Sequence, residues 1–231
     1  MAEALVDAPR VAVPSPHGTL AAWRVGDGPA VLLVHGWEDD HTLWSPLIEV
    51  LRSRRRSLVA FDLPAHGLSD GELGLGPQAA DGIHAVAAST GPIDALVAHS
   101  FSSNASALAI HEGLDIARAV FIAPPLGAGN RWLRWADRLG VPHEVALAAQ
   151  SRFEEHIGPE RAAFNTRNAL TNLDVDLLLV HSEDDERMPI DDTREVAPRC
   201  RRARLHVVDG LTHRRTARDV AVVEHVADFV S

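Results

Sequence analysis

Short, nearly continuous apolar runs recur along this chain, at 30–35 (AVLLVH), 57–62 (SLVAFD), 93–99 (IDALVAH), 117–123 (ARAVFIA), 175–181 (VDLLLVH) and 204–208 (RLHVV). A strand covered on one face alternates apolar and polar residues, whereas an unbroken apolar run is a strand covered on both. The intervals between the runs carry a helical period instead. Residues 42–52 place Leu43, Trp44, Leu47, Ile48 and Leu51 along one face, 78–90 is rich in Ala, 101–111 follows the third run, and 217–230 closes the chain with Val220, Val223, Val226, Ala227 and Val230 in register. Strands alternating with helices define an α/β architecture. The expected form is a doubly wound, mostly parallel sheet of about 7–8 strands, flanked by helices and joined by right-handed crossovers.

Two regions depart from this rhythm. Residues 10–24 read as two weak strands around Pro14-Ser15-Pro16-His17-Gly18, which fits an antiparallel hairpin added at a sheet edge. Residues 124–172 contain no strand candidate. Helical stretches at 132–139, 145–156 and 160–170 are separated there by Gly140-Val141-Pro142 and Gly158-Pro159. The expectation is one domain over residues 1–231, with 124–172 as a helical cap inserted between two strands. No fixed-period repeat is present.

Charge and cysteine content exclude several classes of function. The 231 residues carry a net charge of −10, with 22 basic and 32 acidic side chains, and every basic one is Arg. Nucleic-acid partners and anionic membranes need basic surfaces, so neither is expected. The first ten residues hold Glu3 and Asp7 and lack an apolar segment, so they do not read as a secretory signal. The longest uncharged run, 95–111, is too short and too polar to span a bilayer. A cytoplasmic protein is the resulting expectation. One cysteine, Cys200, excludes an internal disulfide and a Cys-rich zinc site, and H-E-x-x-H is absent. Gly74-Leu75-Gly76-Pro77 follows no strand, so it is not a dinucleotide fingerprint; Pro77 reads as a helix start. No cofactor is implied. Glu38-Asp39-Asp40-His41 reads as a solvated loop or, less simply, a cation site. The Arg-rich stretches 52–56 and 199–204 read as solvated faces near helix ends, with a site for an acidic substrate as the lesser alternative.

Ser100 is where chemistry concentrates. It stands between the run 93–99 and the helix 101–111, and open parallel sheets bind ligands at the carboxyl ends of their strands. The helix N-terminus beside it favours developing negative charge. The surrounding pattern, Ala98-His99-Ser100-Phe101-Ser102, compares with G-x-S-x-G, the nucleophile elbow, in which small residues let strand and helix approach. Both flanking positions are small, though neither is Gly. An ordinary helix N-cap is the competing reading of Ser100.

Here the chain resembles the α/β-hydrolase family, over residues 10–123 and 173–231. The resemblance is carried by His35-Gly36-Trp37 after an early strand and by the loop Phe61-Asp62-Leu63-Pro64-Ala65-His66-Gly67-Leu68-Ser69-Asp70. It is carried further by His181-Ser182-Glu183-Asp184-Asp185-Glu186-Arg187-Met188-Pro189 and by Gly210-Leu211-Thr212-His213. It implies a triad in the order Ser100, Asp185, His213, with the backbone N–H groups of Trp37 and Phe101 as the oxyanion hole. Met188-Pro189 sets the register that selects Asp185, and Asp184 remains the neighbouring alternative.

The implied activity is hydrolysis of a small to medium carboxylic ester, thioester or lactone through an acyl-enzyme. Carbon–carbon bond hydrolysis and cofactor-free perhydrolysis also use a serine; dehalogenases and epoxide hydrolases use Asp, and Ser100 argues against both. A binding protein on the same scaffold is the reading from another class, motivated by the missing elbow glycines. His35 and His99 are expected to shape the site through hydrogen bonds. His206 falls in a strand, and His225 on a solvent-facing helix surface. Trp132 and Trp135 read equally as helix packing or as a lid over Ser100.

Overall fold

The computed structural model describes residue 5 and residues 7–231. Eight strands form one sheet: β1 (Arg10–Ser15), β2 (Gly18–Val25), β3 (Ala30–Val34), β4 (Ser57–Phe61), β5 (Ile93–His99), β6 (Arg118–Ile122), β7 (Asp176–Ser182) and β8 (Ala203–Val208). Their spatial order is β1-β2-β4-β3-β5-β6-β7-β8. The first two form the expected hairpin, and β2 pairs antiparallel with β4. Every other neighbouring pair is parallel.

The apolar runs became strands because both of their faces are covered. Alternate residues of β3 serve opposite layers: Leu32 and Val34 join the core that holds Phe61, Ile83 and Phe121, while Val31 and Leu33 join the core that holds Trp44, Ile48 and Val226. The first layer is roofed by α2 (Gly76–Thr90) and α3 (Phe101–His111), the second by α1 (Ser45–Ser53) and α10 (Val220–Val230). Each fully buried Leu or Ile in these layers contributes roughly 1.5–3 kcal/mol of transfer free energy.

Several boundaries differ from the sequence reading, each for a local reason. The helix expected over 42–52 is two elements. Asp40 caps a 3-10 turn, His41–Trp44, by accepting from the Thr42 N–H, and α1 begins afterwards with Pro46 in its first turn. Between β6 and β7 lie α4 (Arg131–Leu139), α5 (His143–Ile157), α6 (Pro159–Ala163) and α7 (Thr166–Asn172). The stretch expected as one helix over 160–170 is therefore broken. Asn165 turns extended and its side chain accepts from the Asn168 N–H, which caps a new helix. Gly140, left-handed at φ 65°, ends α4 as anticipated. A short helix, α8 (Asp191–Val196), precedes β8 and had no strong apolar signature. At the C-terminal end, α9 (His213–Thr216) splits from α10, so the helix expected from 217 starts at Val220, with Asp219 as its cap.

The Arg-rich stretches are paired and not simply solvated. Arg54 bridges to Glu224 and Asp228 of α10, Arg56 to Asp94, and Arg202 to Asp174 and Asp176. The helical segment between β6 and β7 is tied to the sheet layers by Arg161, which bonds Asp81 of α2 and Glu112 after α3. Arg167 adds bonds to Leu126 O and Asp192. His206 stacks on the exposed His225 at 4.1 Å between ring centroids. No helix among the described residues is long and apolar enough to cross a membrane.

Candidate active site

Ser100 caps α3 at the end of β5 with φ 54° and ψ −123°, a backbone conformation that L-residues rarely adopt. Such a conformation costs roughly 1–3 kcal/mol and persists only where the surroundings over-determine it. Here the Ser100 N–H donates to Ile122 O at 2.8 Å, and Ser100 O accepts from the Ser103 N–H at 2.9 Å. The turn tolerates Ser102 in place of Gly because the extra hydroxyl is used. Ser102 Oγ lies 2.8 Å from Val34 O and 2.9 Å from His99 O, and accepts from the His99 N–H. It fastens the helix to the end of β3, and Ala98 is buried without steric conflict. The two serines that follow on α3 are enclosed: Ser102 is engaged in this way, and Ser103 is buried within the helix packing.

Three loops bring the other selected residues to this turn. The Ser100 Oγ lies 2.8 Å from His213 Nε2, and His213 Nδ1 lies 2.7 Å from Asp185 Oδ2. His213 begins the short helix α9 and is not in an open loop. The side chain of Asp185 is fully buried, and its other oxygen accepts from the N–H groups of Arg187 at 3.0 Å and Met188 at 2.9 Å. Burial raises the Asp185 pKa, but the hydrogen bonds from His213 and Met188 outweigh it and hold the carboxyl below its ordinary value. Asp184 points elsewhere and accepts from the Gly210 N–H at 2.6 Å, closing the loop that precedes His213. His181 braces the acid's loop through Met188 O at 2.7 Å and Thr193 Oγ1 at 2.8 Å.

Gly36 lies against the elbow so closely that a Cβ there would sit 2.9 Å from His99 Nδ1 and 3.3 Å from His99 O. This permits the backbone after β3 to run beside Ser100. His35 orients that backbone. Its Nε2 accepts from the Leu63 N–H at 2.9 Å, so Nδ1 carries the proton and donates to Gly36 O at 2.8 Å. A trans peptide points its N–H away from its carbonyl. Holding Gly36 O therefore aims the Trp37 N–H in the opposite direction. Phe101 is the first residue of α3, where N–H groups lack helical partners. The two side chains meet edge-to-face at 5.4 Å, and Trp37 is half exposed. Trp132 packs against Phe153 of α5, whereas Trp135 is 57% exposed.

Several contacts had no signal in the sequence. His41 donates from Nδ1 to Asp62 at 2.8 Å and stacks on Trp23 at 3.9 Å. Asp62 also accepts from the Leu68 N–H, so the loop after β4 folds around a buried carboxylate. Gly67 is required there, since a Cβ would meet that carboxylate at 2.2 Å. His99, expected to shape the site through hydrogen bonds, donates from Nε2 to the backbone O of His213 at 3.1 Å, with the two rings 4.8 Å apart. Among the described residues no group of three His, Cys, Asp or Glu is placed to hold a metal ion.

Burial lowers His35 and His99 to about 4 from 6.5. Asp62 and Asp39 partly oppose this at His35, as Asp39 and Asp185 do at His99. Both rings are neutral in the folded protein near pH 7. Below about pH 6.5 the unfolded chain takes up their protons while the folded one does not, so stability falls with pH down to about 4. Each contributes a slope of about 1.4 kcal/mol per pH unit and up to about 3 kcal/mol in total. Urea midpoints are expected to drop between pH 7 and pH 5. Midpoints that stay level across that interval would show that the folded chain takes up protons as readily as the unfolded one, against the lowering of these two rings.

An eight-stranded sheet in this order, with a serine on a left-handed strand-to-helix turn facing a histidine and a buried acid, defines a hydrolase scaffold. Residues 31–225 match the alpha/beta hydrolase family, and the chain belongs to it. A pimeloyl-[acyl-carrier protein] methyl ester esterase from Xylella fastidiosa is 41% identical over 68 residues, which span 29% of this chain and only 26% of that protein. Solved structures extend the likeness across the whole fold. A thermophilic esterase from Thermogutta terrifontis has a TM-score of 0.73 at 18% identity, covering 96% of this chain and 97% of that one. An esterase from Exiguobacterium antarcticum has a TM-score of 0.75 at 12% identity, covering 95% and 98%.

Proposed function

We propose that this protein is a serine hydrolase that cleaves small to medium carboxylic esters, thioesters or lactones through an acyl-enzyme. The observation that carries the reading is the unbroken line of hydrogen bonds from Ser100 Oγ through His213 to Asp185, at 2.8 and 2.7 Å. A serine hydroxyl is a weak nucleophile until a base removes its proton during attack. His213 Nε2 takes the proton as Oγ bonds to the substrate carbonyl, then returns it to the leaving alcohol or thiol. Asp185 keeps the proton on Nδ1 and stabilises the imidazolium. Water, deprotonated by the same ring, releases the acid and restores Ser100. The N–H groups of Trp37 and Phe101 receive the oxyanion, where each donor lowers the barrier by about 2.7–4 kcal/mol.

The partial likeness to a methyl ester esterase supports an ester as the substrate class. Residues 124–172 serve, in this reading, as a cap on a single domain. In support, α4 reaches the acid's loop: Arg138 donates to Arg187 O at 2.9 Å.

Labelling with a fluorophosphonate, followed by peptide mass spectrometry, tests the assignment. The expected mark is on Ser100, with Ser102 and Ser103 unmodified. A folded sample that stays unlabelled beside a reactive control hydrolase, or that is marked elsewhere, overturns it.

A further inference from the structure

The loop after β3 ends in an acidic stretch that the triad does not use. Asp39 lies in it with its side chain only 8% exposed, and its carboxylate is gripped from outside by Arg214. The grip has two points: Arg214 Nε lies 3.0 Å from Oδ2 and 3.1 Å from Oδ1, and Nη2 lies 2.5 Å from Oδ1. Arg214 immediately follows His213, while the two partners are far apart in sequence.

The backbone explains why such a tie matters. The Asp39 N–H donates to Gly36 O at 3.3 Å, closing a turn over residues 36–39 with Trp37 at its first corner. The second corner, Glu38, has φ 58°. A turn with positive φ at that corner favours Gly or Asn, so Glu38 does not hold it by its own preference. The orientation of the Trp37 N–H therefore depends on contacts outside the turn. His35 holds the carbonyl of Gly36. Arg214 holds the far end. A planar guanidinium bound to both carboxylate oxygens fixes angle as well as distance, which a lysine ammonium does not.

We propose that Arg214 and Asp39 are positioning residues for the acyl transfer: their two-point ion pair locks the turn carrying the Trp37 N–H to the helix that begins with the His213 base. The inference rests on the serine-hydrolase reading of the site. It assigns the pair no contact with substrate. Oxyanion donor and base must keep their separation while the reacting carbon becomes tetrahedral, and a displacement of about 1 Å costs up to about a hundredfold in rate. The fold does not hang on this pair. Arg218 separately fastens the same region through Thr42 O at 2.9 Å and Leu43 O at 3.0 Å.

The test is a double-mutant cycle on the full chain with an activated short-chain ester, using Arg214→Gln, Asp39→Asn and the pair together, with Arg214→Lys as a fourth variant. Each single change is expected to lower kcat about tenfold to a hundredfold with KM within about twofold, because the carbonyl is misplaced and not unbound. The double variant is expected to be no worse than either single one, as for groups acting as a unit. Arg214→Lys keeps the charge and loses the fork, so it recovers only part of the rate. Melting temperatures near wild type complete the expected pattern. Undiminished kcat in Arg214→Gln, full recovery by Lys, additive losses, or losses that track the folded fraction each overturn the positioning role. If wild type turns over the ester and only these variants disagree, the pairing inference alone falls. If wild type neither labels at Ser100 nor turns over ester, the reading of the site falls and takes this inference with it.

Discussion

Ser100→Ala is expected to lower kcat on the order of 10⁶-fold while leaving substrate affinity within a few-fold, the size of loss seen when a triad nucleophile is removed. The loss is large because no other group can take over. Ser102 is held between Val34 O and His99 O, and Ser103 is enclosed by α3 packing. What remains is water attacking a carbonyl polarised by the oxyanion donors, roughly 10³–10⁴-fold above the uncatalysed rate. The fold should be unaffected. Alanine meets the same positive φ as serine, and the bonds that hold the elbow run through the backbone of Ser100 and the side chain of Ser102. Burst kinetics provide a second readout: wild type releases one equivalent of alcohol before the steady state, and the variant releases none. Turnover in Ser100→Ala within a hundredfold of wild type would assign the chemistry to another group.

Much of the fold was legible because the strands announce themselves. A run such as Ala30–Val34 is buried on both faces, so every position is apolar and no helix of that length is stable alone. The elements that were misread are those whose stability comes from one capping contact and not from a periodic face. Asn165 divides α6 from α7 with a single side-chain bond. Asp40 and Pro46 divide the 3-10 turn from α1 in the same way. The six residues of α8 bury only Thr193 and Val196, too little for a pattern to register.

The candidate site was legible to the extent that its parts are local motifs. Ser100, Asp185 and His213 each follow a strand, and the parallel pairing from β3 through β8 puts the carboxyl ends of β3, β5, β7 and β8 at the same end of the sheet. The supporting contacts were not legible, because each joins segments far apart in the chain and involves residue types with bland local explanations. Asp39 read as part of a solvated loop or a cation site, and nothing in the sequence singled out Arg214 as its partner. His99 read as shaping the site through hydrogen bonds, and only the structure names its partner, the carbonyl of His213. The two departures from the elbow glycines resolve differently. Ala98 is small enough to be buried, and Ser102 is accommodated because its hydroxyl has partners on both β3 and β5.

Asp185→Asn is expected to cost about 10⁴-fold in kcat, with KM little changed. The direction follows from the donors around the carboxylate. Oδ1 accepts from two backbone N–H groups, Arg187 and Met188, so the amide oxygen of the replacement must occupy that place. Its NH₂ then faces His213 Nδ1, where a carboxylate oxygen stood at 2.7 Å. A donor there requires a lone pair on Nδ1, which moves the ring's proton to Nε2. That tautomer donates toward Ser100 and cannot accept its proton, so attack stalls although the geometry is kept. Loss of the negative charge also leaves the imidazolium without its buried counter-ion. Asp184→Asn is the matched control. Asp184 serves the Gly210 N–H, an interaction that an amide oxygen reproduces, so its kcat is expected within a few-fold of wild type. Because the neighbouring acids differ by one position, the pair of variants decides the register directly: a larger loss in Asp184→Asn than in Asp185→Asn would move the acid to the other residue.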